Sequence, residues 1–535
     1  MILTRSRPAA RLIPPPLPAI KAQSCGGVRA VMSEATTTEL REDELDELEL
    51  PSMAPGSLFG HFGPGMILMM TGIGTSHLIT APVAGGRYEY ALLWCLPVAY
   101  IFKYYGFEMA FRFTNATGRS MLDAYSTAWK KLPVWYVLVT TIIQSAVGQA
   151  GRLIAAAAVI FYFFHQYLGI DIPGVEDDME LAVYGLFLGV LSVTIILRGN
   201  YAAVEVVTKI AAGMLIICMI GVYFVRPAPV AEFVHFFQLD APEGSWLIIA
   251  SFLGLLPTGI DVSLQASEWG KAKKVGMGRI RGQLEARGLA KPHDPFADGK
   301  KDLSVDTLRL PDHAREYCRR WFKIGLWDFR AGHVISFILA SIFLLLAAVL
   351  MYPSDVAGNA VIGEIARIFT DSIGPSAMII FLVGALAATF STAFNYFDGW
   401  PRVVGACSRN LFRRTAALPG IAREDLGEEH ERRWYSEYNI YRISMLFSLI
   451  ASVAIIAGLP RPVFLVLVAS ALAYFVAPVI FFLNLYYCLT VIPRDDKMFY
   501  PSTFAIWFGW LSFAVFTGMC LILILQRLFG ISLIG

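Results

Sequence analysis

Residues 63–94 read GPGMILMMTGIGTSHLITAPVAGGRYEYALLW, an apolar run of membrane-spanning character that is broken halfway by Gly72, Gly74, Thr75, Ser76 and His77 before it resumes at Leu78. Bare amides and carbonyls in hydrocarbon have no water to bond, so an interruption at mid-depth is tolerated only where protein or a polar ligand satisfies the freed groups. The stretch therefore restricts the chain to a bundle with a polar site buried at half-depth. A discontinuous helix in a transport protein presents its free ends to a substrate in this way.

The composition points the same way. With 56% hydrophobic and 16% charged residues over 535 positions, the chain has too little polar surface for a soluble protein of several domains. At about 20 mostly apolar residues per spanning helix, an all-α membrane protein of eleven spans is expected. They lie near 64–86 (broken), 90–111, 134–164, 181–197, 204–225, 246–267 (broken), 333–352, 376–398, 439–458, 463–488 and 503–527. With the N-terminus in the cytoplasm, 31 lysines and arginines fall in segments 112–133, 198–209, 268–332, 402–442 and 494–497, against only Arg87, Arg226, Arg367, Arg461 and Arg527 outside. The excess of inner positive charge gives that orientation, in a multi-pass protein of the cell (inner) membrane with the lipid bilayer as its first partner.

Residues 1–55 are expected to be a disordered tail and 56–535 a transmembrane domain, with 268–332 and 402–438 as cytoplasmic loops. The first loop reads as a solvated insertion with a short helix near 311–320. Residues 1–31 hold five basic residues and no acid, which fits either an organelle transit peptide or sequence upstream of a start at Met32. Seven cysteines without C-x-x-C spacing indicate neither a disulfide framework nor a thiolate metal site. No nucleophile–base arrangement, nucleotide loop or redox motif is present, so an enzyme, a resident cofactor and a nucleic-acid partner are all unexpected.

Span 6 repeats the interruption. It reads SWLIIASFLGLLPTGIDVSLQASEWG, with Pro257, Thr258 and Gly259 just before Asp261. Proline removes a backbone donor and clashes with the preceding turn. Two interrupted apolar segments five helices apart are the sequence pointer to a transport site at the interface of two repeats.

Spans 1 and 2 resemble the Nramp family of divalent-metal transporters, through Gly63-Pro64, Ala84-Gly85, Tyr88, Tyr90, Leu92-Leu93-Trp94, Ala99 and Ala116-Thr117-Gly118; Gly199, Glu205 and Lys209 are similar to the family's entry to span 5. The resemblance implies a five-plus-five inverted repeat with spans 1 and 6 unwound, followed by at least one further helix. It also implies a departure in chemistry. The family's D-P-G-N motif falls on Gly74-Thr75-Ser76-His77, and its M-P-H motif on Leu256-Pro257-Thr258. A sulfur ligand suits transition metals, whereas oxygen ligands suit Mg, Ca or Mn. Loss of both the Asp and the Met therefore favours Mg²⁺ or Mn²⁺ over Fe²⁺.

The candidate binding residues are Gly74, Thr75, Ser76, His77, Pro257, Thr258, Asp261 and Gln265, with Asn395 and Asp398 of span 8 behind them. Mg²⁺ keeps much of its water and is usually held by one or two carboxylates, which Asp261 with the hydroxyls of Thr75, Ser76 and Thr258 would supply. Alternatively Asp261 caps the half-helix after Gly259. His77 is either a metal ligand or proton carrier, or a structural filler across the break. Asn395 and Asp398 either line the site or belong to a packing network at the inner boundary. On span 2, Lys103 reads as a snorkelling lysine beside a Glu108–Arg112 ion pair. Span 3 holds Gln144, Gln149 and Arg152 but no acid, so a proton route through it is not expected. Divalent-cation transport without strict proton coupling follows; a non-transporting sensor and a carrier of a small organic solute are the alternatives.

Overall fold

The structure, a computed structural model, describes residues 48–54, 74, 76–199, 213, 216–297, 299–354, 361–415 and 433–529, without the side chains of Ser76 and 526–529. These residues form helices and loops, with no strand among them. The described part of span 1 is a π turn (Ser76–Thr80) that continues into α1 (Ala81–Tyr88). α2 is Cys95–Thr117, and α3 (Met121–Tyr125) is one turn opened by a capping box in which Ser120 and Asp123 bond each other's backbone amides. α4 (Trp129–Tyr167) carries two π turns, Gln144–Gly148 and Tyr162–Tyr167. There follow α5 (Asp177–Arg198), α6 (Ile216–Val225), α7 (Trp246–Leu255), α8 (Val262–Ala272), α9 (Asp312–Leu350), α10 (Val361–Thr370), α11 (Ala377–Leu411), α12 (Glu437–Gly458), α13 (Pro462–Val491) and α14 (Thr503–Phe529).

Among the described residues, seven helices are long and apolar enough to cross a membrane: α4, α5, α9, α11, α12, α13 and α14. α2 is interrupted by Lys103, Glu108 and Arg112, each held inside the protein. α7 and α8 are the halves of span 6, while α6 and the π turn with α1 are the described parts of spans 5 and 1. Helices thus fall on all eleven expected spans. α1 packs along α9 and α7 along α13, with α11 packed on both α4 and α12. The two interrupted spans are therefore walled by α2, α9, α11 and α13.

The loop boundaries need correcting. Residues 268–272 complete α8, and 312–332 belong to α9, a single helix of 39 residues where a short helix and a separate span were expected. Between them the chain is partly packed on the bundle: Met277, Ile280, Leu284 and Leu303 are buried, while much of the rest is exposed. Arg281 donates to the Thr117 carbonyl and to Glu285, and Arg119 reaches the Lys291 carbonyl at 2.6 Å. Likewise 402–411 continue α11 and 437–438 begin α12. A hydropathy reading ends a span at its first arginine. Here Arg402 is paired with Asp398 one turn back, at 2.7 Å, and the helix runs on. At the other end, Leu48 is buried with its carbonyl 2.6 Å from His313 Nε2, and Arg320 donates to the Pro51 carbonyl. The described end of the 1–55 segment therefore lies along the start of α9.

Candidate transport site at the broken spans

In span 6, α7 stops at Leu255 and α8 begins only at Val262. Pro257 follows Leu256 through a cis bond and offers no amide. The carbonyls of a helix C-terminus lack intrahelical partners, and here one side chain satisfies three of them. Lys103 of α2 donates from Nζ to the carbonyls of Gly254 at 2.8 Å, Leu256 at 2.7 Å and Thr258 at 2.6 Å. Lys103 is 0% exposed, so the expectation of a snorkelling lysine is corrected: the ammonium points inward to the break, where polar partners are closer than the membrane surface. The expected Glu108–Arg112 pair is present at 2.6 Å.

Asp261 stands at the start of α8 but its side chain makes no capping bond. Oδ2 accepts from Trp400 Nε1 at 3.4 Å, and Oδ1 is buried without a hydrogen-bond partner. The carboxylate folds back over Gly259, where an added Cβ would lie 2.1 Å from Oδ1; only glycine admits that approach. Arg152 and Lys103 both act electrostatically on Asp261. The Arg152 guanidinium lies 3.7 Å from the Tyr396 ring centre and 4.7 Å from that of Trp400, a cation–π arrangement, and donates to the Gly148 carbonyl at 2.7 Å. Thr258 Oγ1 lies 2.9 Å from the Tyr396 hydroxyl. Further buried atoms here have no partner: both amide atoms of Gln144, Gln149 Oε1, Arg152 Nε and Gln265 Nε2.

Span 1 contributes differently from expectation. The amide of Leu78 bonds the Gly74 carbonyl at 2.9 Å. A Cβ on Gly74 would come 1.9 Å from Thr392 Oγ1 and 3.0 Å from the Ala388 carbonyl of α11. The position that carries the family's metal-binding Asp therefore has no room for a side chain. Gly74→Asp is expected to lower thermal stability without creating metal affinity, checked by melting in detergent with and without Mn²⁺. Thr75 and the Ser76 side chain lie outside the described residues.

His77 is buried, with Nε2 at 3.0 Å from the Tyr100 hydroxyl and 3.1 Å from both the carbonyl and the hydroxyl of Ser336. It ties span 1 to α2 and α9. Asp398 is likewise engaged: it accepts from Trp269 Nε1 at 2.6 Å, from Arg402 at 2.7 Å and from the Tyr441 hydroxyl at 2.7 Å, a packing network that joins α8, α11 and α12. Asn395 is half-buried on the same helix. Gln265 packs against Gly399 of α11, where an added Cβ would lie 2.1 Å from its Oε1, whereas Glu268 belongs to a separate cluster with Arg409, 3.3 Å away. Among the described residues no group of three His, Cys, Asp or Glu could hold a metal. Lys103, Arg152, Tyr396 and Trp400 are not among the residues that the sequence marks for the site. The one available signal was two cations within expected spans, each requiring a polar partner at depth.

A family model described as "Natural resistance-associated macrophage protein-like" matches residues 65–526. The chain belongs to the Nramp family. It is accordingly a multi-pass membrane transport protein of a metal-ion-transporting family, and not an enzyme. Crystal structures of the manganese transporter of Eremococcus coleocola share its fold. A variant of that protein aligns at TM-score 0.55 and 13% identity, covering 91% of this chain and 92% of the other. The same transporter with an aromatic bis-isothiourea compound gives 0.52 at 14% identity, over 91% and 90%. An uncharacterised protein of Pasteurella multocida is 22% identical over 444 residues, 80% of this chain and 85% of its own length. The expected fold, an inverted repeat with spans 1 and 6 broken, is the one this Nramp protein has.

Proposed function

We propose that this Nramp protein carries a hard divalent cation, Mg²⁺ or Mn²⁺ in preference to Fe²⁺, without obligatory proton symport, across the cell membrane with its N-terminus in the cytoplasm. The observation that carries the reading is Asp261 Oδ1, a buried carboxylate oxygen without a hydrogen bond at the break of span 6. The surroundings lack the soft ligands of the family motif, since Leu256 and Thr258 stand in place of Met and His. A hydrated hard ion needs few protein ligands, and Asp261, with the Gln144 amide oxygen beside Trp400 and Arg152, offers oxygen only. α4 brings no acid to the site from 132–161, which supports movement driven by membrane potential.

A second reading rests on its own observation. Two buried cations, Lys103 and Arg152, face one carboxylate, an excess of positive charge that suits a solute bearing its own carboxylate. Purified protein in liposomes under an inside-negative potassium diffusion potential separates the two. The expected result is dye-reported entry of Mg²⁺ and Mn²⁺ above Fe²⁺ with no accompanying change of internal pH. Folded protein that passes none of these ions, yet exchanges a labelled small carboxylate, would favour the second reading.

A further inference from the structure

The three bonds from Lys103 have a stoichiometric meaning. Carbonyl oxygens only accept, and three short bonds from one nitrogen need three N–H groups, which an ammonium has and a neutral amine lacks. The carbonyls of Gly254, Leu256 and Thr258, at 2.6–2.8 Å from Nζ, converge from the C-terminal end of α7, where the helix dipole is negative, and the Asp261 carboxyl lies close enough to interact electrostatically with Lys103. Convergent carbonyls, a helix C-terminus and a carboxylate are what a broken span offers to a coupling cation. Here the protein fills that position from its own chain.

We propose that the carbonyl cage at the span 6 break is a monovalent-cation site permanently occupied by the Lys103 ammonium, so that this protein works without a free Na⁺ or K⁺ at that position. The inference rests on the break being the transport site, but it concerns a different ion from the cargo. It makes Lys103 a positioning residue: its charge holds the break in shape and lies close enough to Asp261 to bias what that carboxylate accepts. Removal of the side chain back to Cβ leaves three buried carbonyls without donors, a loss that an oxygen-liganded cation or a small amine repairs.

The test is thermal stability in detergent at constant ionic strength, with Na⁺, K⁺ or choline as the only monovalent cation. Wild-type protein is expected to melt at the same temperature in all three. Lys103→Ala is expected to melt lower in choline and to recover several degrees, saturably, with Na⁺, K⁺ or methylammonium, while Lys103→Met, whose thioether fills the space without a charge, recovers less. A folded Lys103→Ala protein indifferent to all added cations would overturn the proposal. So would saturable Na⁺ stabilisation of the wild type, a measurement that needs no variant to fold. Absence of Mg²⁺ or Mn²⁺ flux in liposomes would remove the cargo reading and leave the melting result as it stands.

Discussion

Asp261→Asn is expected to abolish most divalent-cation flux while the protein stays folded. The change is nearly isosteric and keeps an acceptor for Trp400, so it removes charge and little else. An ionised hydrogen-bonding group contributes about 1.5–3 kcal/mol, which corresponds to a roughly tenfold to hundredfold weaker apparent affinity for the cation. Initial rates of Mg²⁺ or Mn²⁺ entry against concentration check it. If Asp261 only balances Lys103 and Arg152, the maximal rate falls while the concentration dependence stays put, and the cargo reading is wrong. If a carboxylate-bearing solute is the substrate, the same change removes a repelling charge and its uptake rises.

The architecture was legible from residues alone because it follows from span length and from two interruptions that bare backbone in lipid forbids without cause. The resemblance on spans 1 and 2 pointed to the family, and its break with the family motifs at Gly74 and Leu256 was readable too. The site's electrostatics were not. Lys103 sits on α2 next to a proper i, i+4 ion pair, and nothing in its local pattern shows that α7 breaks beside it. A long side chain reaches either surface or core, and only the packing of α2 on α7 chooses. Arg152 and Trp400 meet across 248 positions of sequence, and no single chain segment announces such a pairing. The packing of segments 268–332 and 402–438 was hidden for the opposite reason. Their charges looked solvated, yet Arg281, Arg402 and Arg409 find carboxylates or carbonyls within the fold.

That inner cluster carries the largest expected effect on stability. Asp123, fully buried on α3, lies 2.7 Å from Lys271 of α8 and 3.1 Å from Arg409 of α11. Arg409 in turn pairs with Glu268 at 3.3 Å and with Glu437 of α12 at 2.7 Å, and His293 lies 3.4 Å from Asp123. Burial pushes the Asp123 carboxyl up, but the Lys271 and Arg409 charges together overcome it and hold the group well below the usual carboxylate range. Asp123→Asn strips a buried pair of one partner, a change that typically costs about 3–5 kcal/mol. Lys271 is partly exposed and Arg409 keeps its two glutamates, so the low end is expected. A depressed folded pKa gives stability that is complete above the unfolded carboxylate value of about 3.9 and lost only on falling through the folded value. The wild type should therefore out-melt Asp123→Asn throughout pH 8 to pH 5, and the margin should shrink only in stronger acid. The cluster also fastens α3, α8, α11 and α12 to one another. Its release is expected to expose Cys407, which is buried two positions from Arg409, to a water-soluble maleimide, as read by mass spectrometry of the labelled peptide. Equal labelling of wild type and variant would mean that the cluster stabilises the closed bundle without gating it.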